Sequence, residues 1–119
     1  MADEFTHWLP LRSLSVKDFL RHGEFPAVYA LRDSATGDIL KYGKTTCLRT
    51  RIIGNFLGGI GGDTTRRIHK ELFSNNMIDR VELAWIETKN GKEAGYKESK
   101  FREAYKQTNG RRPKWDLNG

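Results

Sequence analysis

The chain has little that could cross-link it or anchor it in a membrane. Its 119 residues include one cysteine, Cys47, so no internal disulfide can form, which suits a reducing compartment. No apolar run approaches the roughly 20 residues of a membrane span. The opening MADEFTHWLP lacks the basic and apolar regions of a signal peptide. We therefore expect one soluble, cytoplasmic domain, whose core can form without covalent staples.

Common catalytic and nucleotide-binding motifs are also missing. Gly43-Lys44-Thr45 is similar to the end of a P-loop, but Gly37 lies five intervening residues upstream where the motif demands four. GGIGG at 58–62 follows a helical pattern instead of a strand, which does not fit a dinucleotide fingerprint. We expect a flexible connection there. Three scattered histidines give no zinc spacing, and no Gly-x-Ser-x-Gly elbow indicates a covalent hydrolase.

Positive charge is distributed unevenly along the chain. Residues 1–40 hold four basic and six acidic side chains, and residues 41–119 hold seventeen basic and nine acidic ones, so the net charge of +6 combines −2 with +8. Lysines and arginines that neutralise phosphates gain binding energy from released counterions. A polyanion partner and an ordinary solvated basic surface are equally consistent with charge alone.

Residue patterns predict an α+β fold with a small, mainly antiparallel three-stranded sheet flanked by helices. SATGD has the composition of a hairpin loop, and Leu48, Ile52 and Phe56 form an apolar stripe at four-residue spacing. The predicted elements are a helix at 15–22, strands at 26–33 and 38–44, a helix capped by Thr46, a helix beginning at Thr64 or Thr65, a strand over VELAWIE and a helix at 92–107.

The last predicted helix places a carboxylate on its inward face. At 100° per residue from Ala94, Phe101 falls at about 340°, Tyr105 at about 20° and Glu98 at about 40°. A carboxylate on a buried face is costly unless it meets a cation, a hydrogen-bond donor or a metal. Glu98 is therefore either half of a structural ion pair or part of a functional site.

Further polar candidates lie on the two hairpin strands and the helix that follows. They are Tyr29, then Lys41 or Tyr42, then Arg49 or Arg51. Each has an ordinary explanation when taken alone, as a core aromatic residue or as a surface charge.

Taken together and in this order, these residues resemble the GIY-YIG nuclease family, whose small domain carries two short motifs on neighbouring strands. Ala27-Val28-Tyr29 is similar to the first motif, with Ala in place of Gly, and Lys41-Tyr42-Gly43 stands at the second. In the repair nucleases of the family the catalytic arginine follows the motif glycine by eight residues, which selects Arg51 here. The resemblance covers about residues 25–118.

The second motif departs from the family pattern. With Gly43 as the motif glycine, Lys41 takes the position of the second catalytic tyrosine, and Tyr42 points to the opposite face of the sheet. A shift by one residue would restore Tyr42 but break the spacing to Arg51, so we prefer Lys41. Asn55 stands four residues after Arg51, where many members have His.

The C-terminal part of the chain extends the resemblance. Glu98 matches in spacing the glutamate that binds the metal in the final helix of the family. Pro113-Lys114-Trp115 is similar to the Pro-x-Tyr-Asn that closes the domain, with Asp116 or Asn118 in the place of Asn.

The resemblance implies a DNA endonuclease that hydrolyses phosphodiesters with Mg²⁺ or Mn²⁺ bound by Glu98. Tyr29 would activate or position the attacking water, with Lys41 and the metal favouring its ionised form. Arg51 would stabilise charge on the phosphate. The candidate catalytic residues are Tyr29, Lys41, Tyr42, Arg51 and Glu98. The candidate DNA contacts are Lys44, Arg49, Asn55, Arg66, Arg67, Arg111, Arg112 and Lys114.

The resemblance also divides the chain into an N-terminal extension, 1–24, with a short helix, and a GIY-YIG-like domain, 25–119. Its partner would be DNA, with RNA left open and no membrane involved. A homodimer is a further option, because restriction enzymes of the family often need a partner to cut both strands. The alternatives are a catalytically weak or inactive nucleic-acid-binding domain on the same fold, and a structural domain in which Glu98 is merely salt-bridged.

Overall fold

Four antiparallel strands form the sheet of this protein, whose computed structural model describes residues 5–116. The strands are β1 (Leu9–Pro10), β2 (Ala27–Asp33), β3 (Ile39–Thr45) and β4 (Val81–Glu87), in the spatial order β1-β4-β2-β3. The predicted α+β class, the hairpin and the VELAWIE strand are confirmed. The expectation of three strands is wrong, because the short β1 pairs with β4 and adds a fourth.

Besides short 3₁₀ turns, residues 5–116 contain three helices: a π-helix (Thr50–Leu57), α1 (Asp63–Phe73) and α2 (Gly91–Asn109). Leu48, Ile52 and Phe56 are buried, as their spacing predicts, although the hydrogen bonding there is π-type. Thr46 is not the cap. The hydroxyl of Thr45 accepts instead from the backbone N–H of Cys47, at 3.1 Å, at the end of β3.

The N-terminal segment forms no continuous helix at 15–22, so that prediction is wrong. It makes three short 3₁₀ turns, Leu11–Ser13, Val16–Asp18 and Leu20–Gly23. Arg21 and His22 have φ angles of 50° and 57°, in the left-handed region that a right-handed helix of L-residues avoids.

The same segment contributes to the core. Leu11 and Phe19 are buried in one cluster with residues of β2, β4, the π-helix and α1. The residues predicted to be an extension, as far as the structure describes them, are therefore packed as part of the main fold.

The two faces of the sheet are covered by different helices. Tyr29 and Leu31 project from β2 into the cluster that includes Ile52 and Phe56 of the π-helix. On the other face α2 packs against β2 and β3, and its Phe101 stacks on a β3 aromatic ring. The sheet thus separates the π-helix from α2, and β3 is one of its edge strands.

The segment after α2 returns to this edge. Trp115 is buried and donates its backbone N–H to the carbonyl of Leu40 at 2.7 Å. Asp116 follows it beside β3, whereas Asn118 lies outside the described residues. Between residues 5 and 116 no helix is long and apolar enough to cross a membrane.

Candidate active site

The phenol of Tyr29 and the guanidinium of Arg51 meet inside the layer between the sheet and the π-helix. Arg51 donates from Nε to the Tyr29 hydroxyl oxygen at 3.3 Å. Tyr29 comes from the centre of β2, and Arg51 comes from the first turn of the π-helix. Gly43 lies directly opposite Tyr29 in the β2–β3 register, so the glycine of the second motif leaves the space that the tyrosine ring occupies.

Further contacts hold the guanidinium of Arg51 in place. Its Nη1 donates to the Thr65 hydroxyl at 3.0 Å and to Oδ1 of Asn55 at 3.5 Å. Its central carbon lies 4.6 Å from the centroid of the Phe56 ring, a distance typical of a cation–π contact. Nη2 takes part in none of these hydrogen bonds. A guanidinium fixed in this way can present its remaining N–H groups to an anion without first losing side-chain freedom.

Burial dominates the acidity of Tyr29. The residue is only 1% exposed, and desolvation raises the pKa of its phenol to about 12, although Arg51 opposes the shift. The cation beside the hydroxyl is thus Arg51, and its effect is smaller than that of burial. Without a metal ion the phenol of Tyr29 is therefore neutral at physiological pH, and the expectation that Lys41 and a bound metal favour its ionised form stays a prediction.

Lys41 lies on the same face of the sheet as Tyr29. It pairs with Leu31, two residues after Tyr29 on β2, so the two side chains share a face. Lys41 is 9% exposed. Burial lowers the pKa of its amine, with Asp116 and Glu98 opposing the shift and Arg51 adding to it. Electrostatics therefore links Lys41 to both the arginine and the glutamate of the candidate set.

Glu98 reaches this region from α2, with its side chain 15% exposed. Arg102, one turn further along the helix, lies 3.8 Å from the Glu98 carboxylate and 2.7 Å from that of Asp116. The Coulombic influence of Glu98 extends to Tyr29 as well as to Lys41. The inward direction predicted for Glu98 is confirmed. The sequence left open whether Glu98 forms a structural ion pair, and the structure shows a long one with Arg102.

A metal ion at Glu98, which the resemblance implies, would have one carboxylate of this protein as its ligand. Mg²⁺ prefers oxygen ligands, keeps several waters and is often held by one or two carboxylates together with substrate phosphates. Within residues 5–116 no three His, Cys, Asp or Glu side chains gather into a metal cage. Arg102 lies farther from Glu98 than from Asp116. Glu98 could therefore act as a single carboxylate ligand, and phosphate and water oxygens would complete the coordination.

Tyr42 is not brought to this cluster. Its ring lies on the opposite face and stacks on Phe101 of α2, with centroids 5.4 Å apart. Burial raises the pKa of Tyr42, as expected for an aromatic residue packed beneath a helix. Of the two candidates in the second motif, the structure places Lys41 with the other candidate residues.

The predicted DNA contacts are dispersed around the cluster. Arg66 is engaged by Asp63 at 2.5 Å, and Arg111 by Asp38 at 3.1 Å, so both also serve local ion pairs. Arg67 and Lys114 line one groove of about 300 Å³ between α1 and the C-terminal segment. The remaining basic candidates are exposed side chains: Lys44, Arg49 and Arg112.

Sequence reasoning missed two residues that complete the cluster. Thr65 is 2% exposed and accepts from Arg51 across fourteen residues, a distance at which no local pattern gives a signal. Arg102 could have been found, because it lies four residues after Glu98 on a predicted helix, where opposite charges meet.

Comparisons of the chain with protein families, with curated proteins and with solved structures found no match.

Proposed function

We propose that this protein is a divalent-metal-dependent DNA endonuclease of the GIY-YIG type, which hydrolyses a phosphodiester bond at the Tyr29–Arg51 site. The observation that carries the proposal is the contact between these two residues, with Lys41 and Glu98 in electrostatic reach of it. The four side chains come from β2, the π-helix, β3 and α2. Their convergence supports the same set that the resemblance selected.

Arg51 binds the scissile phosphate in this proposal. Hydrolysis builds negative charge on the phosphate oxygens, and a planar guanidinium can meet two of them with parallel hydrogen bonds. Thr65 and Tyr29 hold the group by Nη1 and Nε, so it needs little reorganisation when the charge develops. Preorganised donors of this kind supply a large part of catalysis in many enzymes.

Tyr29 positions the attacking water. Because its pKa is raised to about 12, the phenol oxygen is neutral at physiological pH and acts through hydrogen bonds. Its hydroxyl is nearly closed off from solvent, so the substrate must displace neighbouring side chains to reach it.

Glu98 holds the metal, and Lys41 assists from the strand. Glu98 would hold a Mg²⁺ or Mn²⁺ ion, which would supply positive charge to the phosphate. Lys41 adds a positive charge from β3, and its burial strengthens its interaction with a phosphate oxygen. Lysine thus takes over charge stabilisation at a position where the family usually has tyrosine.

A nucleic-acid-binding domain without catalytic activity is the second candidate. Two observations favour it: the hydroxyl of Tyr29 is almost fully buried, and Lys41 replaces the second tyrosine. In that case the basic surface binds DNA or RNA, and the Tyr29–Arg51 contact stabilises the fold.

Incubation of the purified protein with supercoiled plasmid, with and without Mg²⁺, tests the proposal. Nicking that requires Mg²⁺ supports the nuclease. Salt-sensitive binding without nicking supports the binding domain, because released counterions make phosphate contacts weaken with salt. Absence of both activities contradicts both candidates and favours a structural domain.

A further inference from the structure

The loop between the π-helix and α1 presents one apolar side chain to solvent. The loop has the sequence GGIGG at 58–62, and Ile60 is 73% exposed. Two glycines on either side carry no side chains that could cover it. Ile60 therefore projects from the surface without neighbours of its own segment.

The backbone around Ile60 is held at defined points. The side-chain amide of Asn55 donates to the Ile60 carbonyl at 2.6 Å, and the backbone N–H of Gly59 donates to the Asn55 carbonyl at 2.7 Å. A Cβ on Gly59 would lie 3.0 Å from the His69 ring, so the loop packs closely against α1. These contacts hold the loop more firmly than the flexible connection that the sequence predicted.

The residues that hold this loop also contact the proposed phosphate-binding arginine. Arg51 donates to the Thr65 hydroxyl and to Oδ1 of Asn55. Asn55 holds the carbonyl of Ile60, and a Cβ on Gly61 would lie 2.8 Å from the Thr65 hydroxyl oxygen. Ile60 therefore emerges from the surface beside the side chain that would hold the scissile phosphate.

We propose that Ile60 is a wedge that inserts between stacked bases of DNA close to the phosphate held by Arg51. The inference rests on the proposed function, since it takes DNA as the substrate. Proteins that kink the duplex insert isoleucine, leucine or phenylalanine into base steps. Unstacking costs least at flexible pyrimidine–purine steps and at weakened pairs. Ile60 consequently directs cleavage toward deformable DNA.

Fluorescence of 2-aminopurine tests the wedge directly, because this base brightens when it is unstacked. Duplexes carry 2-aminopurine at successive positions along one strand, and anisotropy measures binding in the same samples. Wild-type protein is expected to raise the fluorescence at a subset of positions. Ile60→Ser is expected to bind but to lose that rise. Leu20→Ser is the matched control, since Leu20 is 72% exposed on the N-terminal segment, and it is expected to keep the rise.

The outcomes separate the wedge from the nuclease. An equal rise with Ile60→Ser, or no rise with wild type, overturns the wedge whether or not the protein nicks plasmid. A rise that depends on Ile60, in a protein that fails to nick plasmid, supports the wedge and contradicts the proposed hydrolysis. If the protein nicks DNA, Ile60→Ser is expected to slow nicking of fully paired duplex about tenfold. The effect on a mismatched duplex is expected to be smaller, because its bases are already easier to unstack.

Discussion

The ring of Tyr29 lies so close to Gly43 that a Cβ on the glycine would be 2.3 Å from the phenol oxygen and 2.2 Å from the carbon that bears it. No side chain fits at position 43 while the ring stays in place. The absence of a side chain at Gly43 thus allows the Tyr29 ring to lie where its hydroxyl accepts the hydrogen bond from Arg51.

Replacement of Gly43 by alanine is expected to displace the Tyr29 ring. Overpacking a buried site typically costs about 1–3 kcal/mol, which urea unfolding measures as a lower midpoint. Gly54→Ala is the matched control, because a Cβ there meets nothing within 4 Å, and alanine is favoured over glycine within helices. Equal stability of the two variants would contradict the close approach described here.

Arg51→Lys is expected to lower the rate of plasmid nicking by about 10²-fold, the usual effect of removing one preorganised donor of a transition-state site. Lysine keeps the charge but cannot reproduce the planar fork that meets Thr65 and the phosphate. Arg12→Lys is the control, since Arg12 is exposed and pairs with Asp79 away from the cluster. A rate for Arg51→Lys equal to that of the control would remove Arg51 from the chemistry.

Alkaline titration tests the burial of Tyr29. The protein has four tyrosines, and ultraviolet absorbance of phenolate follows their ionisation. The difference between wild type and Tyr29→Phe is expected to show one group with a pKa of about 12. A difference centred near 10, the ordinary value for tyrosine, would mean that the hydroxyl is open to water.

The same shift has a consequence for stability. Between about pH 10, where an unfolded tyrosine ionises, and about pH 12, the folded protein holds a proton that the unfolded chain has lost. The stability that Tyr29 contributes is therefore complete below pH 10 and lost as the pH rises toward 12. This contribution to the free energy of unfolding is about 2–3 kcal/mol. The free energy of unfolding of Tyr29→Phe is therefore expected to fall by that much less than the wild-type value between about pH 10 and pH 12.

Local patterns were enough to predict most of the regular structure. The β-branched and aromatic residues of FPAVYALRD and VELAWIE predicted β2 and β4, and the stripe of Leu48, Ile52 and Phe56 predicted the buried side of the π-helix. Strand β1 was missed because it has two residues, and its partner Leu83 lies far along the chain. Short strands fixed only by such long-range pairing leave no periodic signal.

The site was predictable where spacing carried information. The family resemblance selected Arg51 by its eight-residue separation from Gly43, and the inward angle of the helix selected Glu98. Arg51 contacts the Tyr29 hydroxyl, and Glu98 acts on it through its charge. The depth of burial of Tyr29 was not predictable, because it depends on how the π-helix and α1 pack over β2. That packing raises the pKa of the phenol to about 12.

The central claim is that Glu98 binds a catalytic metal, and plasmid nicking by Glu98→Ala tests it most directly. The ion pair of Asp116 with Arg102, at 2.7 Å, does not involve Glu98, so we expect the variant to keep the local fold. Glu103→Ala, which removes an exposed carboxylate from the same helix, is the control. We predict that Glu98→Ala loses Mg²⁺-dependent nicking and keeps salt-sensitive DNA binding, while Glu103→Ala keeps both. Full nicking by Glu98→Ala would contradict the account.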